Sequence, residues 1–280
     1  MTCPIGTILR CPTADERRIE YYHSLGMTAI QIAGVMENWL APTDEAIARS
    51  EAIMAMLRER GISTPTMFLS FPNQDWAHPI EGVGLSPLKT RAERMILSCR
   101  QMNWGLKYGV RYVTCHVGYF PEESTDEYKS LINDLKLLVR FAKANGQDFL
   151  FETGMENVPT LKRIFNDIGE DNLGLNFDPA NLLIYGSDEP SHVLEEMGDL
   201  VKVIHCKDAR HAADGETRGK ETPLGKGDTD FAILLKSLLL TRGFAGPLII
   251  ERELPLGPEQ EKDVAEAVIL IQNIIKGAKQ

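Results

Sequence analysis

Along this chain, short apolar runs alternate with longer stretches whose apolar residues recur at helical spacing. The pair repeats about every thirty to thirty-five residues, the span of one β/α unit. The first run, Ile5–Leu9, precedes a helical pattern over Asp15–Leu25, and the second, Ala29–Ala33, precedes one from about Thr43 to Arg60 that Gly61 ends. Thr64–Leu69 is the third, followed by a long loop at Asn73–Pro87 and a helix over Lys89–Tyr108. The fourth, Arg111–Val117, stops at Gly118 and leads to a helix over Asp126–Asn145, ended by Gly146. Phe149–Thr153, Leu173–Asp178, Val201–Cys206 and Pro247–Glu251 complete the strands. Their helices fall at Val158–Ile168, Ser191–Met197, Asp230–Arg242 and Glu259–Lys276.

Eight alternations with no break in composition predict one domain over residues 1–280, of the α/β class, with mostly apolar strands covered by helices. An open doubly wound sheet usually carries a phosphate-binding glycine turn after its first strand. Here that strand runs into Arg10, Cys11, Pro12 and Thr13. The pattern therefore predicts a (β/α)8 TIM barrel, a fold that typically takes about 250 residues.

A core of this size needs no disulfide or metal to hold it together, so any metal here serves function. The formal net charge of −10 argues against nucleic acid as a partner, because binders of phosphate backbones carry a basic face. Cys3, Cys11, Cys99, Cys115 and Cys206 are scattered without metal-knuckle spacing, which reads as free thiols in a reducing compartment. The first residues lack a secretory apolar stretch, and the longest apolar run, near AVILIQNII, is too short to span a bilayer. A cytoplasmic protein with no membrane partner is the expectation.

The C-terminal strand ends of a β/α barrel build its active site. Four successive predicted strands end in ionisable residues: Glu152 in FLFETG, Asp178 in LGLNFDPAN, His205 in VKVIHCKDA and Glu251 in PLIIERE. One polar strand end means little, since most are solvated or hydrogen-bonded; four on neighbouring strands can converge on a point. Three carboxylates beside one imidazole repel one another, and burial raises at least one pKa unless a cation is present. One divalent metal resolves the conflict, and three oxygens with one nitrogen suit Mn²⁺, with Mg²⁺ or Co²⁺ as substitutes, better than thiolate-rich zinc sites. Strand alternation turns Cys206 away from the side of His205. Glu253 shares the parity of Glu251 and competes for the fourth position; Glu251 is preferred because it directly follows the apolar run.

On these residues the chain resembles the sugar isomerase/epimerase superfamily of xylose isomerase-like barrels, which includes ketose 3-epimerases, inosose dehydratase and the endonuclease IV type of DNA-repair enzyme. The resemblance is carried by the Glu of FETG, the Asp of FDPAN, HCKDA, LGKGDTDF (Leu224–Phe231), the Glu of IIERE, and HVG at His116–Gly118. It implies that Glu152, Asp178, His205 and Glu251 are the metal ligands, and that Glu152 and Glu251 also form the acid/base pair on opposite sides of a bound sugar. The chemistry agrees. Removing a proton next to a ketone requires stabilisation of the enediolate, and one carboxylate on each face can remove and return it.

His116, Asn181, Lys207, Asp208 and Arg210 are the candidate substrate-binding residues. Asn181 stands where relatives often place a histidine facing the substrate. Lys207 is within two residues of His205 and can bind a substrate oxygen, and Asp208 can orient a ligand. Ketose 3-epimerases usually place an arginine six residues after this histidine; here that place is His211, with Arg210 one earlier. Gly225 and Gly227 lack the GKS/GKT ending of a P-loop and shape a turn into the next helix. Trp76, in the long loop, can close over a sugar, whereas Trp104 reads as helix packing.

The leading expectation is a metal-dependent isomerase or epimerase acting on a small-molecule sugar or keto-polyol. HCKDAR fits an inosose dehydratase-like lyase equally well. DNA repair would need a basic groove and extra histidines, but the chain has six and its third strand ends in FLSF with none. Homo-oligomer formation is an expectation from the family alone.

Overall fold

The computed structural model describes residues 3–121 and 123–278. In chain order the strands are β1 (Ile5–Arg10), β2 (Ala29–Ala33), β3 (Ser63–Phe68), β4 (Tyr112–Cys115), β5 (Asp148–Glu152), β6 (Leu173–Phe177), β7 (Val201–Cys206), β8 (Asp208–Arg210), β9 (Lys220–Thr222) and β10 (Leu248–Ile250). All but β8 and β9 pair in parallel, and β1 joins both β2 and β10, so the ring closes as an eight-stranded barrel. The helices are α1 (Glu16–Ser24), α2 (Glu37–Leu40), α3 (Asp44–Glu59), α4 (Pro79–Gly82), α5 (Leu88–Lys107), α6 (Asp126–Ala144), α7 (Val158–Ile168), α8 (Pro179–Tyr185), α9 (Pro190–Met197), α10 (Phe231–Thr241) and α11 (Pro258–Gly277). Among the described residues no helix is long and apolar enough to cross a membrane, and none of the five cysteines forms a disulfide.

The eight expected β/α alternations form, with four additions. The short helices α2, α4 and α8 and the antiparallel β8–β9 hairpin occupy stretches in which no element is expected. A helix of four to seven residues shows too few turns for a period to register in the sequence. The largest change is at Asp178, the expected last residue of its strand. It instead leaves β6 and caps α8, its Oδ1 accepting from the Asn181 amide at 2.9 Å. Asp15, Thr43, Thr125 and Asn157 cap α1, α3, α6 and α7 in the same way, satisfying amides that the first helical turn leaves free.

Strand alternation sorts the side chains into an outer and an inner set. The outer set packs under the helices in one large apolar core. Inside the barrel, Ile8, Tyr112, Leu150, Val203 and Ile249 form a small apolar layer. Next to it comes a fully buried polar set: Gln31, Thr66, Thr114 and Asn176. Two residues on from Leu150, Val203, Ile249 and Asn176, the same parity delivers Glu152, His205, Glu251 and Asp178 to the barrel mouth.

The long loop between β3 and α5 is anchored across that mouth. Leu85 and Ser86 donate their amides to Val117 O at 2.6 and 3.0 Å. Two buried arginines of α5 hold the loop from below. Arg94 donates to Gly84 O (2.6 Å) and Gly82 O (3.1 Å), and Arg91 to Ser86 O (2.6 Å) and Leu85 O (3.0 Å). Guanidinium groups suit this task because their donors form a fixed fork. The loop so held carries Trp76 over His116.

Candidate metal centre

One donor atom from each of Glu152, Asp178, His205 and Glu251 lies within 4.8 Å of all the others. His205 Nδ1 sits at the centre, 2.8 Å from Glu152 Oε1, 3.0 Å from Glu251 Oε2 and 3.6 Å from Asp178 Oδ2. These are ion-pair distances, yet His205 Nδ1 and Asp178 Oδ2 are buried without a hydrogen bond of acceptable geometry. Buried polar atoms rarely lack partners. Here both face one point, a size that a divalent ion with ligand bonds of roughly 2.0–2.2 Å can occupy. The residues fit the metal.

The charges point the same way. Burial lifts the Glu152 carboxyl to about 7; His205 opposes this, and Glu251 and Asp178 add to it. Burial also works against a charged His205, but Glu251, Asp178 and Glu152 outweigh it and hold the imidazole well above its ordinary pKa. At Glu251 burial is overcome by Lys207 and His205, which keep its carboxyl well below the usual range. The cluster thus favours a proton on His205 and lifts the Glu152 carboxyl, in place of the positive charge that a metal brings.

The other candidates separate. Lys207 is buried beside the cluster, with Nζ 2.9 Å from Glu253 Oε1, 3.2 Å from Asn181 Oδ1, 3.5 Å from Glu251 Oε2 and 3.8 Å from Asp178 Oδ2. Glu253, the rival for the fourth ligand position, stands outside the four-residue group, with its side chain 57% exposed. Strand β10 ends at Ile250, so Glu251 is one residue past it and Glu253 three, too far along the loop for strand alternation to fix where its side chain points.

His116 is buried at the exit of β4, and its Nε2 has no partner. Burial and then Lys207 hold its pKa down at about 4, so the ring is neutral at physiological pH. Trp76 meets the ring edge-on at 5.4 Å and Tyr185 of α8 at 6.2 Å. Gly154 leaves the space in front of it: a Cβ there would lie 3.3 Å from His116 Nε2.

Asp208 and Arg210 are not brought to the cluster. Asp208 is buried under the LGKGDTDF loop and accepts from five donors. Oδ1 takes Ala209 N (2.9 Å), Thr229 N (3.3 Å) and Thr229 Oγ1 (2.7 Å), and Oδ2 takes Gly225 N (2.8 Å) and Gly227 N (3.0 Å). This cradle explains Gly227, where a Cβ would stand 2.2 Å from Asp208 Oδ1, while Gly225 answers to its φ of 81°. Arg210 lies exposed on β8, its Nη2 3.5 Å from Lys226 O.

Sequence reasoning passed over Gln31, Asn176 and Tyr185. Gln31 left a signal: a lone amide in the apolar run AIQIA, which a buried strand tolerates only with hydrogen-bond partners.

Metal addition is expected to stabilise the fold. At about 100 times Kd, a divalent ion contributes about 2.7 kcal/mol, which raises Tm by about 5 °C for a chain of this size. Because His205 holds a proton that a ligand must lose, binding releases protons near neutral pH, and affinity falls as pH is lowered. Calorimetry in buffers of different ionisation enthalpy measures the release. No melting shift together with no proton release would remove the metal.

Comparison with known proteins places this geometry. The sequence profile of the xylose isomerase-like TIM barrel family matches residues 19–274. The inosose dehydratase of Clostridium beijerinckii is 27% identical over 153 residues, spanning 48% of this chain and 49% of that one, so the match covers about half of the curated relative. The crystal structure of a xylose isomerase domain protein from Planctomyces limnophilus superposes with a TM-score of 0.89 at 29% identity, covering 99% of this chain and 98% of that one. A D-tagatose 3-epimerase-like protein shares the fold with a TM-score of 0.75 at 16% identity, over 99% and 98% of the two chains. With the profile matched over residues 19–274 and the strands closed into an eight-stranded barrel, this chain belongs to the xylose isomerase-like TIM barrel family.

Proposed function

We propose that this protein is a metal-dependent sugar isomerase or epimerase that moves a proton next to a ketone through an enediolate. One observation carries the reading: Glu152 from β5 and Glu251 from the end of β10 approach His205 Nδ1 to 2.8 and 3.0 Å. Two carboxylates are thereby aimed at one small volume from different strands, which is what removal and return of a proton on opposite faces requires. A divalent ion held by Glu152, Asp178, His205 and Glu251, taken here as Mn²⁺ with Mg²⁺ or Co²⁺ as substitutes, supplies positive charge where the ketone oxygen turns negative.

The chain's own groups do the rest. One glutamate removes the proton from the carbon beside the ketone, and the other delivers a proton to the opposite face. Lys207 donates to a substrate oxygen, and its charge offsets the anion that forms. Asn181, already bonded to Lys207, and neutral His116 hydrogen-bond the hydroxyls. Trp76 and Tyr185 cover the apolar face of the sugar and keep water from the reacting carbon. The substrate is a small sugar or keto-polyol, with no nucleic acid and no membrane in the reaction, and a cytoplasmic setting suits the free thiols.

A second reading is supported by the similarity to inosose dehydratase. It keeps the proton removal but expels a β-hydroxyl instead of reprotonating the carbon. A panel of ketoses and inososes incubated with the Mn²⁺-loaded protein in D₂O, followed by NMR, separates the two. Deuterium incorporated with inversion is expected, whereas loss of water selects the dehydratase. Absence of exchange in both classes sinks the proposal.

A further inference from the structure

We infer that Gln31 is a positioning residue that decides which nitrogen of His205 serves the metal, an inference that rests on the metal reading of the cluster. Gln31 stands on β2, across the barrel from β7, fully buried. Its Oε1 lies 2.8 Å from His205 Nε2. Its Nε2 points the other way and donates to Thr66 Oγ1 at 3.1 Å and Thr114 Oγ1 at 3.4 Å. The amide therefore offers the imidazole an acceptor, and an acceptor at Nε2 stabilises the ring form that carries its proton there. A neutral imidazole has one N–H only. With Nε2 protonated, Nδ1 is left with a free lone pair, and Nδ1 is the atom that faces Glu152, Glu251 and Asp178.

Two further contacts complete the device. Phe68 lies nearly parallel to the His205 ring, with centroids 6.1 Å apart and planes 21° from parallel. It limits tilting, while Gln31 sets the rotation of the ring within its plane. Asn176 approaches the same Nε2 with its amide nitrogen at 2.9 Å, and its own Oδ1 is buried without a partner. A half-turn of that amide brings Oδ1 within reach of a proton on Nε2 and puts Nδ2 where Oδ1 stood. Gln31 is held at both ends and Asn176 at one, so Gln31 sets the ring and Asn176 follows. Groups that accept from the outer N–H of a ligating histidine commonly control metal affinity in this way.

The test uses the whole protein with two metals as probes. In protein labelled with ¹⁵N-histidine and loaded with Mg²⁺, long-range ¹H–¹⁵N spectra should show His205 with a protonated Nε2 and a bare Nδ1; loss of the signal in His205→Gln assigns it. A proton on Nδ1 in that spectrum overturns the inference, and this measurement needs no Gln31 variant to fold. In Mn²⁺ titrations, Gln31→Met, which keeps length but removes the acceptor, should weaken Kd about 10–100-fold, whereas Gln31→Glu should stay within about threefold of the parent. A folded Gln31→Met variant that binds Mn²⁺ like the parent also overturns it. If the parent protein itself takes up no Mn²⁺, the metal reading falls, which is a different result from a parent that binds and a variant that is unaffected.

Discussion

Glu152→Gln is expected to lower substrate proton exchange in D₂O by about a thousandfold or more, within the range of general acid–base catalysis, while the barrel stays folded. The exchange is equal in size and shape, but an amide neither accepts nor returns the proton. Because Glu152 also stands among the metal-holding groups, the assay must be run at saturating Mn²⁺, where weaker binding no longer limits the rate. Stability supplies an internal control. Burial penalises the charged form of Glu152, so a neutral amide there should leave the melting temperature of the metal-free protein unchanged or higher.

Glu251→Gln should behave differently. That carboxylate is the buried partner of both His205 and Lys207, and removing one member of such a group costs about 3–5 kcal/mol. Two chemically identical substitutions should thus share a kinetic defect and split in thermal stability. Substantial residual exchange in Glu152→Gln would remove Glu152 from the proton transfer, and equal melting behaviour would contradict the charge arrangement.

Asp208→Ala is the second large effect, and it concerns the fold. The substitution leaves Gly225 N, Gly227 N, Thr229 N and Thr229 Oγ1 without their common acceptor. Unsatisfied donors and lost charge-assisted bonds of this kind cost about 3–5 kcal/mol together, allowing for water entering the loop. For a chain of this length the melting temperature should drop by roughly 5–9 °C. Asp208→Asn should fare little better, because one amide group cannot accept at both former oxygens. A melt indistinguishable from the parent's would show that the cradle carries no load and would return Asp208 to the substrate-binding candidates.

Much of the architecture could be read from the chain because it rests on local periodicity. Apolar runs of strand length alternating with amphipathic helices specify a β/α fold, and the lack of a phosphate-binding glycine turn after the first strand favours the barrel over an open sheet. The convergence of Glu152, Asp178, His205 and Glu251 was legible for a related reason: a period of two, counted from an apolar run, places the last inward residue at the mouth. One residue past the strand the count still holds, since Asp178 beyond β6 and Glu251 beyond β10 both reach the mouth, but Glu253, three residues past β10, does not join the group.

Closure of the barrel decided the rest. Gln31 and His205 are 174 residues apart, and nothing in AIQIA says that a histidine from β7 will need an acceptor. Asp208 sits in HCKDA next to residues of the site, yet its carboxylate is claimed by amides 17 to 21 residues later. Sequence by itself determined which residues lie at the mouth and face inward, because alternation along a strand is a property of the backbone alone. Tertiary structure alone decided which of those groups meet, because hydrogen-bond partners and charge neighbours are set by where the ring of strands closes.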